Sequence, residues 1–188
     1  HSVVQPSQTA FMPGRHILEG VVVLHETLHE IHSKKLDKVI LKVDFEKAYD
    51  KVKWPFLQQA MRMKGFSETW RHQVDTQVQK GSAGIKVNDD IGHYFQTHMG
   101  LRQGDSMSPL LFNIVADMLA VIIGRDKHHG HVEGLVPHLI DGGVSILQYA
   151  DDTIIFMEHD MAKARNMKLI LCLFEQLSGL KINFHKSE

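Results

Sequence analysis

The sequence predicts an α+β fold, a mostly antiparallel sheet with helices packed on one face. Three observations carry that expectation. Residues 37–44 (DKVILKVD) alternate Val39, Leu41 and Val43 on one side, the period of a half-buried strand. Residues 144–157 hold two apolar arms around Asp151-Asp152, the pattern of a hairpin. Around these strands lie longer apolar segments bounded by serine, proline and glycine, the punctuation of helices.

The elements follow in order. A first helix is expected over residues 19–33, then the strand at 37–44. Pro55 opens a helix to Met63, in the first-turn position that lacks an intrahelical N–H partner anyway, and Gly65 ends it. Ser67 caps a further helix that reaches Gln79. Residues 82–87 and 94–99 read as two short strands around the turn Asn88-Asp89-Asp90. Ser108 as cap and Pro109 behind it start an apolar helix through Ile123. After the hairpin, residues 162–177 form a last helix closed by Gly179, and residues 180–184 a last strand. Met61, Met63, Met107, Met118 and Met157 read as core filler.

With 43% apolar residues among 188, the chain can bury a real core, which sets disorder aside. Its lone Cys172 excludes a disulfide framework and a Cys-rich zinc site, and suits cytosol or nucleus. The longest apolar runs fall short of a bilayer span, and no signal-peptide pattern opens the chain, so no membrane partner is expected. A chain that starts at His1 and stops just after an apolar run is expected to be cut from a longer polypeptide. The net charge of −1 sits awkwardly with nucleic-acid binding, which usually needs a basic excess.

The chemistry lies in the carboxylates. Asp44 ends an apolar strand, and Asp151 and Asp152 occupy the tip of an apolar hairpin. Carboxylates about 4 Å apart on neighbouring strands repel by roughly 4 kcal/mol per pair at an effective dielectric near 20. Divalent cations would offset that, and ligation by oxygen alone favours Mg²⁺ or Mn²⁺ over zinc. Two such ions suit in-line phosphoryl transfer. An Asp-Asp pair also simply makes a good turn.

Five blocks carry a family resemblance. Val43-Asp44-Phe45-Glu46-Lys47-Ala48-Tyr49-Asp50 resembles motif A of reverse transcriptases, in the LINE-type form. The run from Gly100 through Leu101-Arg102-Gln103-Gly104-Asp105 to Asn113 resembles motif B, and Tyr149-Ala150-Asp151-Asp152 the YADD form of motif C. The run from Gly179 to Lys186 resembles motif D, and Gln8-Thr9-Ala10-Phe11-Met12-Pro13-Gly14-Arg15 an upstream block of non-LTR retrotransposons. They stand in the family order along nearly the whole chain.

The resemblance implies the palm of a polymerase right hand with part of the fingers and no thumb. Residues 20–51 and 108–188 would be palm, and 1–19 and 52–107 partial fingers. It implies an RNA-directed DNA polymerase core that adds dNTPs to a primer 3′-hydroxyl, with an RNA template and a DNA primer as partners. Asp44, Asp151 and Asp152, with the carbonyl of Phe45, would ligate two Mg²⁺ ions, Mn²⁺ being the alternative. Lys186 would protonate the leaving pyrophosphate. Tyr49 would pack under the incoming sugar and exclude a 2′-hydroxyl, unless it is an ordinary core tyrosine. Gln103, Gly104 and Arg102 would meet the nucleotide, although a solvated arginine fits position 102 as well. Arg15 and Tyr149 would contact template–primer.

An upstream finger block, the thumb and an endonuclease would belong to the parent polypeptide, which would account for the neutral charge and leave these residues weak or inactive alone. The place of action would be intracellular, nuclear at the step of target-primed synthesis. Alternatives are a decayed or co-opted palm serving as a binding scaffold, a nucleotidyl cyclase, and a group II intron protein; the wording of motifs A and D favours the LINE type.

One competing pattern is His25-Glu26-Thr27-Leu28-His29, which satisfies the HExxH zinc-protease signature on an expected helix. It lacks any marked third ligand, and 14 histidines make a chance match easy, so the reading is a solvated face. His128, His129 and His131 are expected in an exposed glycine-rich loop.

Overall fold

A computed structural model describes residues 3–79, 82–138 and 140–188. Along the chain run α1 (Ile17–Ser33), β1 (Lys38–Val43), α2 (Ala48–Lys51), α3 (Trp54–Met63), α4 (Glu68–Gln79), β2 (Ser82–Ala83), β3 (Lys86–Val87), β4 (Asp90–Ile91), β5 (Phe95–Gln96), α5 (Ser108–His128), β6 (Ile146–Tyr149), β7 (Asp152–Glu158) and α6 (Met161–Ser178). The central sheet is antiparallel with strand order β1-β7-β6. This is the α+β arrangement that the strand patterns anticipated.

Alternation along the strands builds two apolar layers. Val39, Leu41, Val43, Ile146, Ile155 and Met157 face the main core, where Phe112, Leu119 and Ile123 of α5 and Phe174 of α6 are fully buried. Ile40, Leu147, Ile154 and Phe156 face the other way, against Val23, Leu24 and Ile31 of α1. So α5 and α6 cover one face as expected, and α1 adds cover to the second. Its apolar residues are spread around the helix, which concealed the stripe.

Helix α5 has the length and apolarity of a membrane span, contrary to the expectation from run lengths, but 67% of that stretch is buried inside the protein. It is the core helix. Its start also differs from expectation: Ser108 is the first helical residue, Met107 holds the cap position without a side-chain cap bond, and Asp105 steadies the entry, accepting from the Met107 N–H at 3.4 Å and the Ser108 hydroxyl at 3.3 Å. By contrast, Ser67 does cap α4, accepting from the Trp70 N–H at 3.3 Å. Met61, Met118 and Met157 are buried, whereas Met63 is 52% exposed at the last position of α3.

Residues 82–96 form a two-part hairpin, β2 with β5 and β3 with β4. Its tip is a two-residue loop, with φ of 47° at Asn88 and 69° at Asp89. Two successive positive φ values mark a type I′ turn, for which asparagine and aspartate are suited. The expected last strand is absent: Ile182 makes one bridge to Phe45, and a turn follows. Asn183 competes with the ladder, its side chain accepting from the His185 N–H at 3.2 Å and its carbonyl from the Lys186 N–H at 3.0 Å.

Candidate active site

The register of β1 on β7 brings the acidic blocks together. Val43 pairs with Thr153, so Asp44 emerges opposite Asp152 as the ladder ends. Asp151 precedes it in the hairpin loop between Tyr149 and Asp152, which pair across the turn. Residues more than a hundred apart in sequence thus meet at one sheet end. Alternation sets Asp44 on the side of Ile40 and Asp152 on the side of Ile154, the same face of the sheet. Asp152 and Tyr149 line a half-open groove of about 200 Å³ with Thr9, Leu147 and Ile154.

Asp151 and Asp152 are exposed and Asp44 is half-buried. Among the described residues no three His, Cys, Asp or Glu side chains converge closely enough to hold an ion. The backbone nevertheless sets the three acids at adjoining positions, and their donor atoms are all carboxylate oxygens, the chemistry that hard divalent cations prefer. Phe45, whose carbonyl was the fourth expected donor, is buried against Phe174 with ring centroids 6.2 Å apart.

The main chain of Asp44 is held firmly. Its N–H donates to the Ser187 hydroxyl at 3.2 Å, and its carbonyl accepts from the Asn183 N–H at 2.8 Å. Lys42 and Glu188 exchange N–H···O bonds of 2.7 and 3.1 Å. The segment carrying Lys186 therefore lies along the acidic strand, with Lys186 exposed in its turn.

Tyr49 stands beside the carboxylates on the short helix α2. Its ring stacks on Phe112, centroids 4.7 Å apart and planes 13° from parallel. Burial, and then the charge of Asp151, push its phenol above the ordinary value of 10.0. The glycine-bracketed loop is tied to the same helix. The Leu101 N–H donates to the Tyr49 carbonyl at 2.7 Å, the Gly100 N–H to Val52 at 2.8 Å, and the Trp54 indole to the Gly100 carbonyl at 2.7 Å. A Cβ on Gly100 would meet the Asp50 carbonyl oxygen at 2.8 Å, with φ at +91°, so only glycine fits this approach. Arg102, Gln103 and Gly104 follow on an exposed stretch, Gly104 in open space.

Arg15 turns inward. Its guanidinium donates to the carbonyls of Gln5 and Gln8 at 2.5 Å and of Val4 at 2.7 Å. It braces a loop whose polar residues give no sign of their role in the sequence. Gln8, fully buried, clasps the hairpin: its Oε1 accepts from the N–H of Ala150 at 3.0 Å and of Ala10 at 3.1 Å, while its Nε2 donates to the Ala150 carbonyl at 3.2 Å. Gln148, also buried, binds Ser7 and Thr9 through its main chain and donates its Nε2 to Ala116 at 3.0 Å. Asn113 donates to Ala10 at 2.6 Å, and Asp117 pairs with Lys64 while accepting from the Gln5 N–H at 2.7 Å. The one signal for this network is a pair of polar residues at i and i+4, Asn113 and Asp117, inside an otherwise apolar helix.

The HExxH pair does not build a site. His25 and His29 are exposed on α1, and the residue between them, Thr27, is buried and bonded to the Val23 carbonyl at 2.7 Å. His128 belongs to the end of α5 rather than to a loop, with His129 and His131 exposed beyond it.

Residues 1–188 match the reverse transcriptase (RNA-dependent DNA polymerase) family over their whole length. A transposon TX1 149 kDa protein of Xenopus laevis is 25% identical over 98% of this chain, which spans 14% of that protein. The Pol polyprotein of the R2DM retrotransposable element of Drosophila melanogaster is 24% identical over 96% of the chain, spanning 16% of its length. An R2 Pol polyprotein of Nasonia vitripennis is 27% identical over 84% of the chain and is covered to 15%. In structure, a Candida albicans telomerase complexed with a telomeric RNA fragment superposes with a TM-score of 0.71 at 11% identity, over 97% of this chain and 32% of the other. An apo telomerase of Candida tropicalis gives 0.65 at 13% identity, over 97% and 33%. These likenesses in structure confirm a polymerase palm-type fold. The chain belongs to the reverse transcriptase (RNA-dependent DNA polymerase) family, and its sequence relatives place it with the non-LTR retrotransposon branch.

Proposed function

We propose that this chain is the nucleotide-adding core of a retrotransposon polymerase, copying an RNA template by adding dNTPs to a DNA primer 3′-hydroxyl. The observation that carries it is the pairing of Val43 with Thr153, which sets Asp44 across from Asp152, the neighbour of Asp151 in the hairpin loop. Residues 20–51 and 108–188 serve as palm, and 1–19 and 52–107 as partial fingers.

Asp44, Asp151, Asp152 and the Phe45 carbonyl are the group that would hold two Mg²⁺ ions, with Mn²⁺ able to replace them. When bound, such ions lower the pKa of the attacking hydroxyl and neutralise charge on the leaving phosphates. The protein's own residues do the rest. Tyr49, fixed on Phe112, presents a flat wall to the deoxyribose and leaves no room for a 2′-hydroxyl. The loop of Arg102, Gln103 and Gly104, anchored to the Tyr49 carbonyl through Leu101, borders the base and triphosphate. Lys186, on the turn beside Asp44, supplies a proton to pyrophosphate. Tyr149 at the groove rim supports the primer end, and Arg15 serves the template–primer by shaping the loop it braces.

The partners are an RNA template, a DNA primer and dNTPs, with synthesis primed on target DNA in the nucleus. Because the chain spans only a small share of its relatives, we propose that these 188 residues alone extend a primer feebly or not at all, and that a polypeptide of the relatives' length does so readily. The test is Mg²⁺-dependent extension of a DNA primer on an RNA template, by the 188 residues and by that longer polypeptide. Wild-type extension that disappears in Asp151→Asn supports the reading. Extension that survives the substitution refutes it, and a biological role untouched by Asp151→Asn points to a non-catalytic scaffold.

A further inference from the structure

We infer that Gln8 is a positioning residue for catalysis, holding the Ala150 turn in the one conformation that presents Asp151. This rests on the polymerase reading above. Ala150 has φ of +54°, a left-handed conformation that alanine disfavours, and it is buried. Such a residue keeps that shape where its surroundings over-determine it. The Gln8 side chain holds both main-chain polar groups of Ala150, taking its N–H at 3.0 Å and giving an N–H to its carbonyl at 3.2 Å. The two bonds flank the Ala150 Cα, and the second falls on the peptide that leads directly into Asp151.

The clasp is itself anchored. The Gln8 Oε1 also accepts the Ala10 N–H at 3.1 Å, and the Gln8 carbonyl accepts from Arg15 at 2.5 Å. The Gln8 segment bridges the outer edge of β6 at Gln148, and Asn113 of the core helix α5 holds Ala10 at 2.6 Å. The position of Asp151 is therefore set from α5 through the N-terminal loop, and not by the β6–β7 ladder alone. An apolar side chain at position 8 would leave a buried N–H and C=O unpaired on the residue before Asp151.

The experiment compares wild type, Gln8→Met, Gln8→Glu and Gln8→Met with Ala150→Gly in a polypeptide active in primer extension. The same substitutions in the 188 residues allow the Ala150 amide exchange rate to be read by NMR. In Gln8→Met, Ala150 exchange should rise about tenfold or more, the value set by losing a buried hydrogen bond. In the same variant kcat should fall about tenfold and half-activating Mg²⁺ rise several-fold, with KM for dNTP within about twofold, as expected when a ligand's support rather than substrate binding is lost. Gln8→Glu, which keeps the acceptor, should be intermediate, and it carries the test should the methionine variant not fold. Ala150→Gly should restore part of the loss, because glycine accepts the positive φ unaided. A folded Gln8 variant with wild-type Ala150 exchange and wild-type Mg²⁺ dependence overturns the inference. Should wild type show no Asp151-dependent extension, the polymerase reading has failed instead, and Ala150 exchange alone still decides whether Gln8 holds the turn.

Discussion

Tyr49 lies face to face on Phe112, 4.7 Å between ring centroids. The stack makes a rigid wall of a side chain that would otherwise swing. An aromatic pair of this kind contributes about 0.5–1.5 kcal/mol beyond its buried area. Tyr49→Val should raise the rNTP to dNTP ratio of kcat/KM by roughly 10- to 100-fold, the range over which one pocket contact discriminates. Phe112→Leu should do the same to a smaller degree by loosening the wall. An unchanged ratio in Tyr49→Val would reduce Tyr49 to an ordinary packing residue.

The same phenol reports on Asp151. Burial and the Asp151 charge both keep it protonated above the ordinary value of 10.0. With its folded pKa raised, Tyr49 adds stability that is complete below the unfolded pKa and fades as pH climbs through the folded one. Asp151→Asn should lower the Tyr49 pKa while leaving the burial contribution in place. Ultraviolet titration of tyrosinate, in protein whose Tyr94 and Tyr149 are phenylalanine, measures this. No change on removing the charge would separate the tyrosine from the acidic turn.

Divalent ions should stabilise the folded chain through the acids at the end of β1 and β7. An ion at a hundred times its dissociation constant adds about 2.7 kcal/mol when only the folded state binds. Mg²⁺ should therefore raise Tm, Mn²⁺ likewise, and the increment should vanish in Asp44→Asn and in Asp151→Asn. An equal increment in both variants would locate ion binding elsewhere.

Much of this site is legible in the amino-acid order alone. Alternation at Val39, Leu41 and Val43, and the apolar arms beside Asp151, mark both strands and the acids at their ends, because period-two burial leaves a direct trace in sequence. What stays hidden is non-local. The left-handed turn at Ala150 looks like any alanine, and its partner Gln8 lies 142 residues away. The bend after Ile182 resembles a strand because its apolar residues alternate, while Asn183 decides otherwise through hydrogen bonds of its own. The cover of α1 on the second sheet face emerges only from the tertiary arrangement.

The buried pair Lys64–Asp117 joins α3 to α5 and also accepts the Gln5 N–H, at the root of the loop that reaches the hairpin. Asp117 is completely buried, so removing its partner strands a charge. Lys64→Met should cost about 3–5 kcal/mol, a large part of the total for a domain of this size. Lys64→Met with Asp117→Leu should recover much of the loss, since an apolar pair of similar volume avoids desolvating two ions. Denaturant midpoints for the single and double variants check this, and a double variant no better than the single would disprove it.

Glu158 closes the far end of the sheet between two lysines. Its carboxylate accepts from Lys163 and from Lys38, each at 2.7 Å, and Lys163 reaches on to Glu133 at 2.6 Å. Those bonds, that from Lys163 first, hold the Glu158 pKa down to about 2 against an ordinary 4.5. The folded value is the lower one, so its stabilising effect is complete above the unfolded pKa and is lost as pH falls from 4.5 towards 2. Lys163 runs oppositely: its pKa is raised above 10.5 by Glu133 and then Glu158, so its contribution is complete below that value and fades at higher pH. The groups are near the surface, and added salt should weaken both effects. Tm measured across the acid range should therefore fall less steeply in Glu158→Gln than in wild type, with the two curves closest at the acid end. Parallel curves would mean that the lysines hold no protonation-dependent advantage over solvent, and that the β1–β7 ladder alone closes the sheet.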